Sequence, residues 1–351
     1  MIGKTLNYHK ADGLIFGIYP GGWLDSFVDK AIPDTPQEIN KALNTLQLPD
    51  YPFVVRGYVG FEDGAQSLIE TPSNMIQYTC NGRKLGLTLC YRSKTGDLDG
   101  WKDFICKTIQ AYGHHLAKIQ LTEEPNNPDP NTGGDGSSPN IYQAIVEGVC
   151  TAKEEIDRLN LDCMVGFNAV ISFNPLDVFW KTLADAGTST FLQSLDYVGL
   201  DFFPDVFVPL PLTPDGTPFS MEDAVTVVLE QFRNGNLHEG KIPFDVPIHI
   251  TENGWPTNPA RSEERQAEIL ETTVETIYRK RAELNITHYE YFDLRDANSS
   301  ESGLQFGLLH DDYTPKPAFD TFCRLIQKFG NSHGTTTSNF SLQNQYQDVS
   351  G

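Results

Sequence analysis

The sequence predicts a single (β/α)8 TIM barrel, an α/β fold in which eight parallel strands close into a cylinder surrounded by helices. Short apolar runs alternate with amphipathic stretches eight times, at about 40 residues a unit, which is the rhythm of that fold. The 351 residues, 39% of them hydrophobic, are enough to bury one large core. The alternative is an open doubly wound sheet. Against it, Gly17 and Gly21-Gly22 do not make the Gly-x-Gly-x-x-Gly loop of dinucleotide-binding sheets.

The first half of the chain contains four strand–helix units. The helix over 35–46 is the best delimited, because Thr35 is a good capping residue and Pro36 suits the first helical position. The predicted strands are 14–19, 53–58, 85–90 and 115–121, and the predicted helices are 35–46, 73–82, 99–112 and 139–159.

The second half repeats this rhythm four more times and completes a predicted catalytic domain over residues 1–330. The predicted strands are 163–167, 196–203, 247–251 and 287–292, and the predicted helices are 175–194, 220–233, 262–284 and 316–328. Two segments fall outside the pattern. A long loop rich in Gly, Pro, Asn and Asp over 126–139 follows the fourth strand, and a polar tail over 331–351 is predicted to be disordered.

Composition restricts the partners. A formal net charge of -21 and a pI of about 4.6 disfavour nucleic acid and anionic membranes, since no basic patch exists to bind them. No apolar leader or membrane span is evident, so a cytoplasmic protein is expected; secretion by another route, or from a trimmed precursor, stays open. We expect no cofactor and no metal, because the His and Cys residues lack ligand spacing. Calcium in the 126–139 loop, through Asp129, Asn131 and Asp135, is the alternative.

Two carboxylate motifs stand at predicted strand ends. Glu252 lies in Ile250-Thr-Glu-Asn-Gly-Trp-Pro256 after the seventh strand, and Glu124 lies in Leu121-Thr-Glu-Glu-Pro-Asn126 after the fourth. Strand ends of a barrel converge on one cavity, and two facing carboxylates are what glycoside hydrolysis requires. The plain alternative for Glu252 is a solvated residue in an Asn-Gly turn.

These motifs resemble the (β/α)8 glycoside hydrolases of clan A. Members of that clan end strand 4 in Asn-Glu-Pro and strand 7 in a Thr-Glu-Asn-Gly type of motif. The segments 291–296 and 306–318 are similar to the C-terminal signature of bacterial cellulase-like β-glycosidase members. The resemblance implies a retaining mechanism on β-linked neutral sugars, with Glu124 as the acid/base and Glu252 as the nucleophile.

Three positions depart from the clan pattern. Glu123 replaces the Asn that usually precedes the acid/base and binds the sugar 2-hydroxyl. Phe202 and Phe203 stand where many members have a Tyr that hydrogen-bonds the nucleophile, and Cys90-Tyr91 stands where a His often sits. A carboxylate at 123 is expected either to raise the pKa of Glu124 or to turn away from the cavity.

Six further residues are candidates for substrate binding, most of them with a structural alternative. Arg56 matches an Arg that clan members place beside the nucleophile, and Trp255 is the candidate for stacking on a sugar, unless it packs in the core. The full set is Arg56, Tyr91, Glu123, Asn168, Trp255 and Phe292. The aromatic residues Tyr19, Trp23 and Tyr58 also lie at strand ends, where packing is their expected role.

The function predicted from the sequence is retaining hydrolysis of a β-glycoside, oligosaccharide or polysaccharide. The alternatives are a carbohydrate-binding barrel that has lost turnover, motivated by the missing Asn and Tyr, and a transglycosylase on the same scaffold. Sugar, linkage, endo or exo cleavage and oligomeric state depend on loop shapes that the sequence does not reveal.

Overall fold

Eight parallel strands close into a barrel, as the sequence predicts. The structure is a computed structural model that describes residues 6–9, 11–22, 30–63 and 65–330. Its strands are β1 (Ile15–Ile18), β2 (Phe53–Glu62), β3 (Ala65–Thr71), β4 (Lys84–Tyr91), β5 (Leu116–Leu121), β6 (Met164–Val170), β7 (Tyr197–Asp201), β8 (Ile248–Asn253) and β9 (Ile286–Tyr291). The order β1-β9-β8-β7-β6-β5-β4-β2, with β1 also paired to β2, closes the cylinder.

Eight helices surround the barrel in the described part of the chain. They are α1 (Pro36–Leu46), α2 (Leu98–Tyr112), α3 (Ile141–Arg158), α4 (Phe179–Ala186), α5 (Ser189–Ser194), α6 (Met221–Gln231), α7 (Glu263–Leu284) and α8 (Pro317–Phe329). Several begin at capping side chains: Asp97 accepts from the amide of Gly100, and Ser262 accepts from that of Arg265. The predicted helix starts in these regions are therefore accurate to within a few residues.

The region after β2 differs from the prediction. The predicted helix over 73–82 is wrong: the segment forms two short 3-10 turns, 75–78 and 80–82, and Asn81 has a left-handed backbone that interrupts a helix. Before it, β2 runs on to Glu62 and turns back as β3, which pairs antiparallel to β2 outside the barrel. The predicted helix over 175–194 is two helices, α4 and α5, separated at Gly187 and Thr188.

The two faces of the barrel strands have different surroundings. Side chains such as Phe16, Leu87 and Ile119 belong to the main hydrophobic core, shared with the buried faces of the helices. A second apolar cluster, with Ile15 and Tyr197 among its members, lies near the amino ends of the strands. Between that cluster and the strand ends lie buried polar groups, including the ion pair of Lys118 with Glu290.

Some sequence expectations lie outside the described residues, namely the tail over 331–351 and Trp23. Across the described ranges, no helix combines the length and apolarity that crossing a membrane would require.

Candidate active site

A cleft of about 950 Å³ opens where the strands end, and four buried carboxylates lie in it. They are Glu123 and Glu124 after β5, Asp201 at the end of β7, and Glu252 in β8. One oxygen from each of the four lies within 4.8 Å of the others. The two carboxylate motifs that the sequence singles out therefore do meet in one cavity.

Glu252 is held by two side chains from β2. Tyr58 donates its hydroxyl hydrogen to Oε1 of Glu252, and Nη2 of Arg56 lies 3.3 Å from the same oxygen. Arg56 and Tyr58 are two positions apart on the strand, so their side chains lie on the same face. Nε of Arg56 donates to the Tyr58 hydroxyl oxygen at 2.6 Å, which orients that hydroxyl toward the carboxylate.

Tyr58 supplies the hydrogen bond to Glu252 that Phe202 and Phe203, at the end of β7, lack the hydroxyl to make. Burial raises the pKa of Tyr58 well above its usual value, so the hydroxyl stays protonated and keeps donating. The sequence contains a signal for this contact. Tyr58 lies two residues after Arg56, and side chains two positions apart on a strand point to the same face. Phe202, at the expected position, is itself buried and has no hydroxyl to offer.

Glu124 is positioned by its backbone and by two asparagines. Its φ is 39°, in the left-handed region, and its amide donates to Oδ1 of Asn168 at 2.8 Å. Nδ2 of Asn127 donates to Oε2 of Glu124 at 2.8 Å. Burial, and then the charge of Glu252, raises the pKa of Glu124 to about 7. A carboxyl with that pKa can keep its proton near neutral pH and give it up during a reaction.

Glu123 lines the cleft. Its Oε2 accepts from Nε2 of Gln120 at 2.7 Å, from Nη2 of Arg56 at 3.3 Å and from Nδ2 of Asn168 at 3.3 Å. Burial, followed by the charge of Glu252, raises the pKa of Glu123 well above its usual value. The carboxyl is thus anchored through one oxygen beside the other carboxylates, and it does not turn away from the cavity.

Asp201 is a site residue that sequence reasoning missed. Nδ2 of Asn168 donates to its Oδ2, and the Thr251 hydroxyl donates to its Oδ1. Burial raises the pKa of Asp201 well above its usual value. Its position directly before Phe202, at the end of the sixth barrel strand, was the available signal.

The other sequence candidates divide into three groups. Phe292 lines the cleft. Arg56 and Asn168 are fully buried among the carboxylates and donate hydrogen bonds to them. Tyr91 and Trp255 pack in the main core: Tyr91 stacks on Phe61 with ring centroids 6.0 Å apart, and Trp255 is 4% exposed. Neither of those two side chains is part of the cleft lining, and Trp255 lies where its packing alternative has it.

The four carboxylates are close enough to surround a cation, but protein donors already engage them. Arg56 contributes a fixed positive charge to Glu123 and Glu252, while Asn168 and Thr251 bond to Asp201. Arg56 carries a single positive charge, so these contacts compensate the carboxylates only in part: burial, and then the charge of Glu252, still raises the pKa values of Glu123, Glu124 and Asp201.

The side chains considered for calcium in the 126–139 loop are engaged in separate contacts. Oδ2 of Asp135 accepts from the amides of Tyr91 at 2.6 Å and Glu123 at 2.8 Å, which ties the loop to the site. Oδ1 of Asp129 accepts from Asn131. Asp135 therefore fastens the loop to the site, and Asp129 and Asn131 bond to each other within it; calcium in this loop stays a prediction.

The chain matches no family model and no curated protein, but its fold matches solved structures. A β-glucosidase from Exiguobacterium marinum superposes with a TM-score of 0.59 at 12% identity, covering 94% of this chain and 100% of that one. A Thermotoga maritima β-glucosidase in complex with castanospermine gives 0.56 at 11% identity, covering 92% and 99%. A GH2 β-galacturonidase from Eisenbergiella tayi gives 0.58 at 15% identity, covering 91% of this chain and 52% of that one.

This chain has the (β/α)8 fold of these glycosidases. At such low identity the likeness concerns architecture, and the chemistry has to be argued from the side chains in the cleft.

Proposed function

We propose that the protein is a retaining β-glycoside hydrolase with Glu252 as nucleophile and Glu124 as acid/base. The observation that carries this is the separation of the two carboxylates, whose nearest oxygens lie within 4.8 Å. Retaining glycosidases have carboxyl groups about 5–5.5 Å apart, whereas inverting enzymes need about 6.5–9.5 Å to admit a water molecule. The spacing supports direct attack by a carboxylate.

In the first step an oxygen of Glu252 attacks the anomeric carbon and forms a glycosyl ester. The bond from that carbon to the leaving oxygen breaks, and the proton of Glu124 moves to the leaving oxygen. Arg56 and Tyr58 hold Glu252 in position for the attack. In the second step Glu124 takes a proton from water, which attacks the anomeric carbon and frees Glu252.

The electrostatics support the exchange of roles by Glu124. The charge of Glu252 is the second cause of the raised pKa of Glu124. Once Glu252 is esterified that charge is gone, so the pKa of Glu124 falls and the carboxylate becomes available as a base. The same residue is thus an acid before the intermediate and a base after it.

The fold neighbours agree with β-glycoside chemistry, since two of them are β-glucosidases and one is a β-galacturonidase. The rival proposal, a carbohydrate-binding barrel without turnover, rests on a missing Tyr and a missing Asn. Tyr58 donates the hydrogen bond that the missing Tyr would give, so the motivation that remains is Glu123 in place of the Asn. Transglycosylation stays a prediction that product analysis with an added alcohol would test.

The decisive experiment is mass spectrometry after incubation with 2-fluoro β-glycosides of several sugars. We expect a mass increment on the peptide that carries Glu252, and hydrolysis of aryl β-glycosides that Glu252→Gln abolishes. Glu271→Gln, an equivalent change on the outer helix α7, is the matched control and should label as the wild type does. Labelling of another residue, or sugar binding without turnover across the panel, would refute the proposal.

A further inference from the structure

The cleft has two unlike walls. One is polar and belongs to the segment after β5, with Glu124, Asn127, Asn131 and Thr132. The other comes from the segments after β6 and β7 and from α6. We call it the apolar wall and define it by Phe173, Phe203, Phe207, Val208, Leu210 and Val227. A ligand that fills both walls has to be polar at one end and apolar at the other.

Exposed hydrophobic side chains are concentrated around this wall. Nine large hydrophobic residues are exposed in the described part of the chain, and seven of them lie between 173 and 227: Phe173, Leu176, Val178, Phe207, Val208, Leu212 and Val227. Four of the seven, Phe173, Phe207, Val208 and Val227, line the cleft itself. Scattered exposed hydrophobic residues are normal, but a group of them in one cleft marks a binding surface. Phe207 and Val208 are 67% and 73% exposed, although both line the cleft.

A run of aromatic rings joins the apolar wall to the carboxylates. It starts at Tyr58, which bonds to Glu252, and continues through Tyr19, Phe292 and Phe203 to the exposed Phe207. Successive ring centroids are 5.6, 5.4, 6.3 and 5.5 Å apart. Tyr19 is buried and does not line the cleft, but Tyr58, Phe292, Phe203 and Phe207 all do, so the apolar wall and the carboxylates belong to one cavity.

We propose that the natural substrates are glycosides with an apolar aglycone, an alkyl chain or an aromatic group, which lies against the apolar wall while the sugar lies at the carboxylates. This inference rests on the proposed hydrolase function. A second sugar on this wall would bring hydroxyl groups against Val208, Leu210 and Val227, whose side chains have no hydrogen-bonding atoms to replace the lost water. An apolar aglycone has no hydrogen bonds to water to lose at the wall, and the transfer of its surface out of water is favourable.

Two features argue for a substrate group over a lipid bilayer as the occupant. The wall is one side of the catalytic cleft itself, so a group bound to it lies beside Glu124 and Glu252. The net charge of -21 opposes approach to anionic membranes. A single amphiphilic molecule in the cleft can place its polar end against the polar wall and its apolar end against the apolar wall.

The test is a series of methyl, butyl and octyl β-glycosides of one sugar, used below their micellar concentrations. We expect kcat/KM to rise roughly two- to fourfold per methylene that reaches the wall, and thus at least about tenfold from butyl to octyl. Phe207→Ser should flatten this dependence on chain length. Phe244→Ser changes a phenylalanine of similar exposure outside the cleft lining; it is the matched control and should keep the dependence on chain length.

The outcomes separate this inference from the proposed function. Hydrolysis that does not depend on chain length would overturn the apolar aglycone and leave the hydrolase standing. If no glycoside is hydrolysed, titration calorimetry with octyl and methyl β-D-glucoside still tests whether the apolar wall binds the aglycone. Octyl binding at least tenfold tighter, and weakened by Phe207→Ser, supports the wall, whereas equal affinities overturn it. Binding to phosphatidylcholine vesicles that Phe207→Ser abolishes, without any chain-length effect, would overturn it in favour of a membrane.

Discussion

Tyr58 donates a hydrogen bond to Oε1 of Glu252, joining residues 194 positions apart in the chain. The hydroxyl stabilises the carboxylate and fixes its orientation, together with the guanidinium of Arg56. A hydrogen bond to a charged group contributes about 1.5–3 kcal/mol. The geometry of the proposed nucleophile therefore depends strongly on a strand three places away around the barrel.

Tyr58→Phe is expected to lower kcat/KM by about 10- to 100-fold, because this hydrogen bond would be lost from the reacting complex. Kinetics with an activated aryl glycoside measures the change. Tyr197→Phe removes a buried hydroxyl that bonds to the carbonyl of Ile119 instead, and it should leave kcat/KM near the wild-type value. Equal losses in the two variants would mean that the effect on Tyr58 is one of folding.

Azide should rescue the two carboxylate variants with opposite stereochemistry. In Glu124→Ala, azide attacks the glycosyl-enzyme without needing a base, so the product is the β-glycosyl azide. In Glu252→Ala, azide takes the place of the nucleophile and attacks from the other face, so the product is the α-glycosyl azide. Proton NMR of the products measures the anomer, and the same anomer from both variants would contradict the assignment of roles.

The pH dependence of kcat/KM should show an alkaline limb with a midpoint near 7. The pKa of Glu124 is about 7, so rising pH removes the proton that the leaving group needs, and the rate falls tenfold per pH unit above the midpoint. Asn127 lowers this pKa by bonding to the carboxylate. Asn127→Ala should therefore move the limb to higher pH.

Asn131→Ala is the control for that shift, because Asn131 lies in the same loop and bonds to Asp129. A pH profile for Asn127→Ala that coincides with the wild-type profile would exclude Glu124 as the group that titrates.

Glu123→Gln should fold at least as well as the wild type, whereas Glu123→Ala should lower the free energy of unfolding by about 1–3 kcal/mol. The amide oxygen of Gln can still accept from Arg56, Gln120 and Asn168, but Ala leaves these buried donors unpaired. Urea unfolding at neutral pH compares the three proteins. Equal stability of the Ala and Gln variants would contradict the anchoring role.

Glu123→Gln is also predicted to change how the stability of the protein depends on pH. The pKa of Glu123 is raised in the folded state, so the folded protein binds this proton more tightly than the unfolded chain does. That contribution to stability is fully present below the unfolded pKa of about 4.3 and is lost as pH rises toward the folded pKa. Glu123→Gln removes the titration, so its stability relative to wild type should increase with rising pH. Unfolding curves at several pH values measure the difference.

The barrel could be predicted from the sequence because its signal is local. Each apolar run indicates a strand, and each cap, such as Ser262 before α7, indicates a helix start, without information about distant contacts. The β3 hairpin was not predicted, because it interrupts a strand–helix unit where the pattern predicts a helix. The predicted helix itself is broken by the left-handed backbone of Asn81.

The site was predictable only in part, for a physical reason. Glu124 and Glu252 follow apolar runs, so their place at strand ends can be inferred. Whether a neighbouring side chain points into the cleft or into the core depends on register and on the tilt of strands in a closed barrel. Trp255 packs in the core for that reason, and Asp201 and Tyr58 face the site.

Because β2 carries both Arg56 and Tyr58, orientation of the proposed nucleophile and the proposed recognition of the aglycone reside on separate parts of the scaffold. In the described structure no side chain between 203 and 219 hydrogen-bonds to Glu252 or Glu124. Mutational libraries confined to residues 206–212 are therefore expected to change selectivity while Glu124 and Glu252 keep their geometry. That separation makes the barrel a natural starting point for directed evolution toward new glycosides.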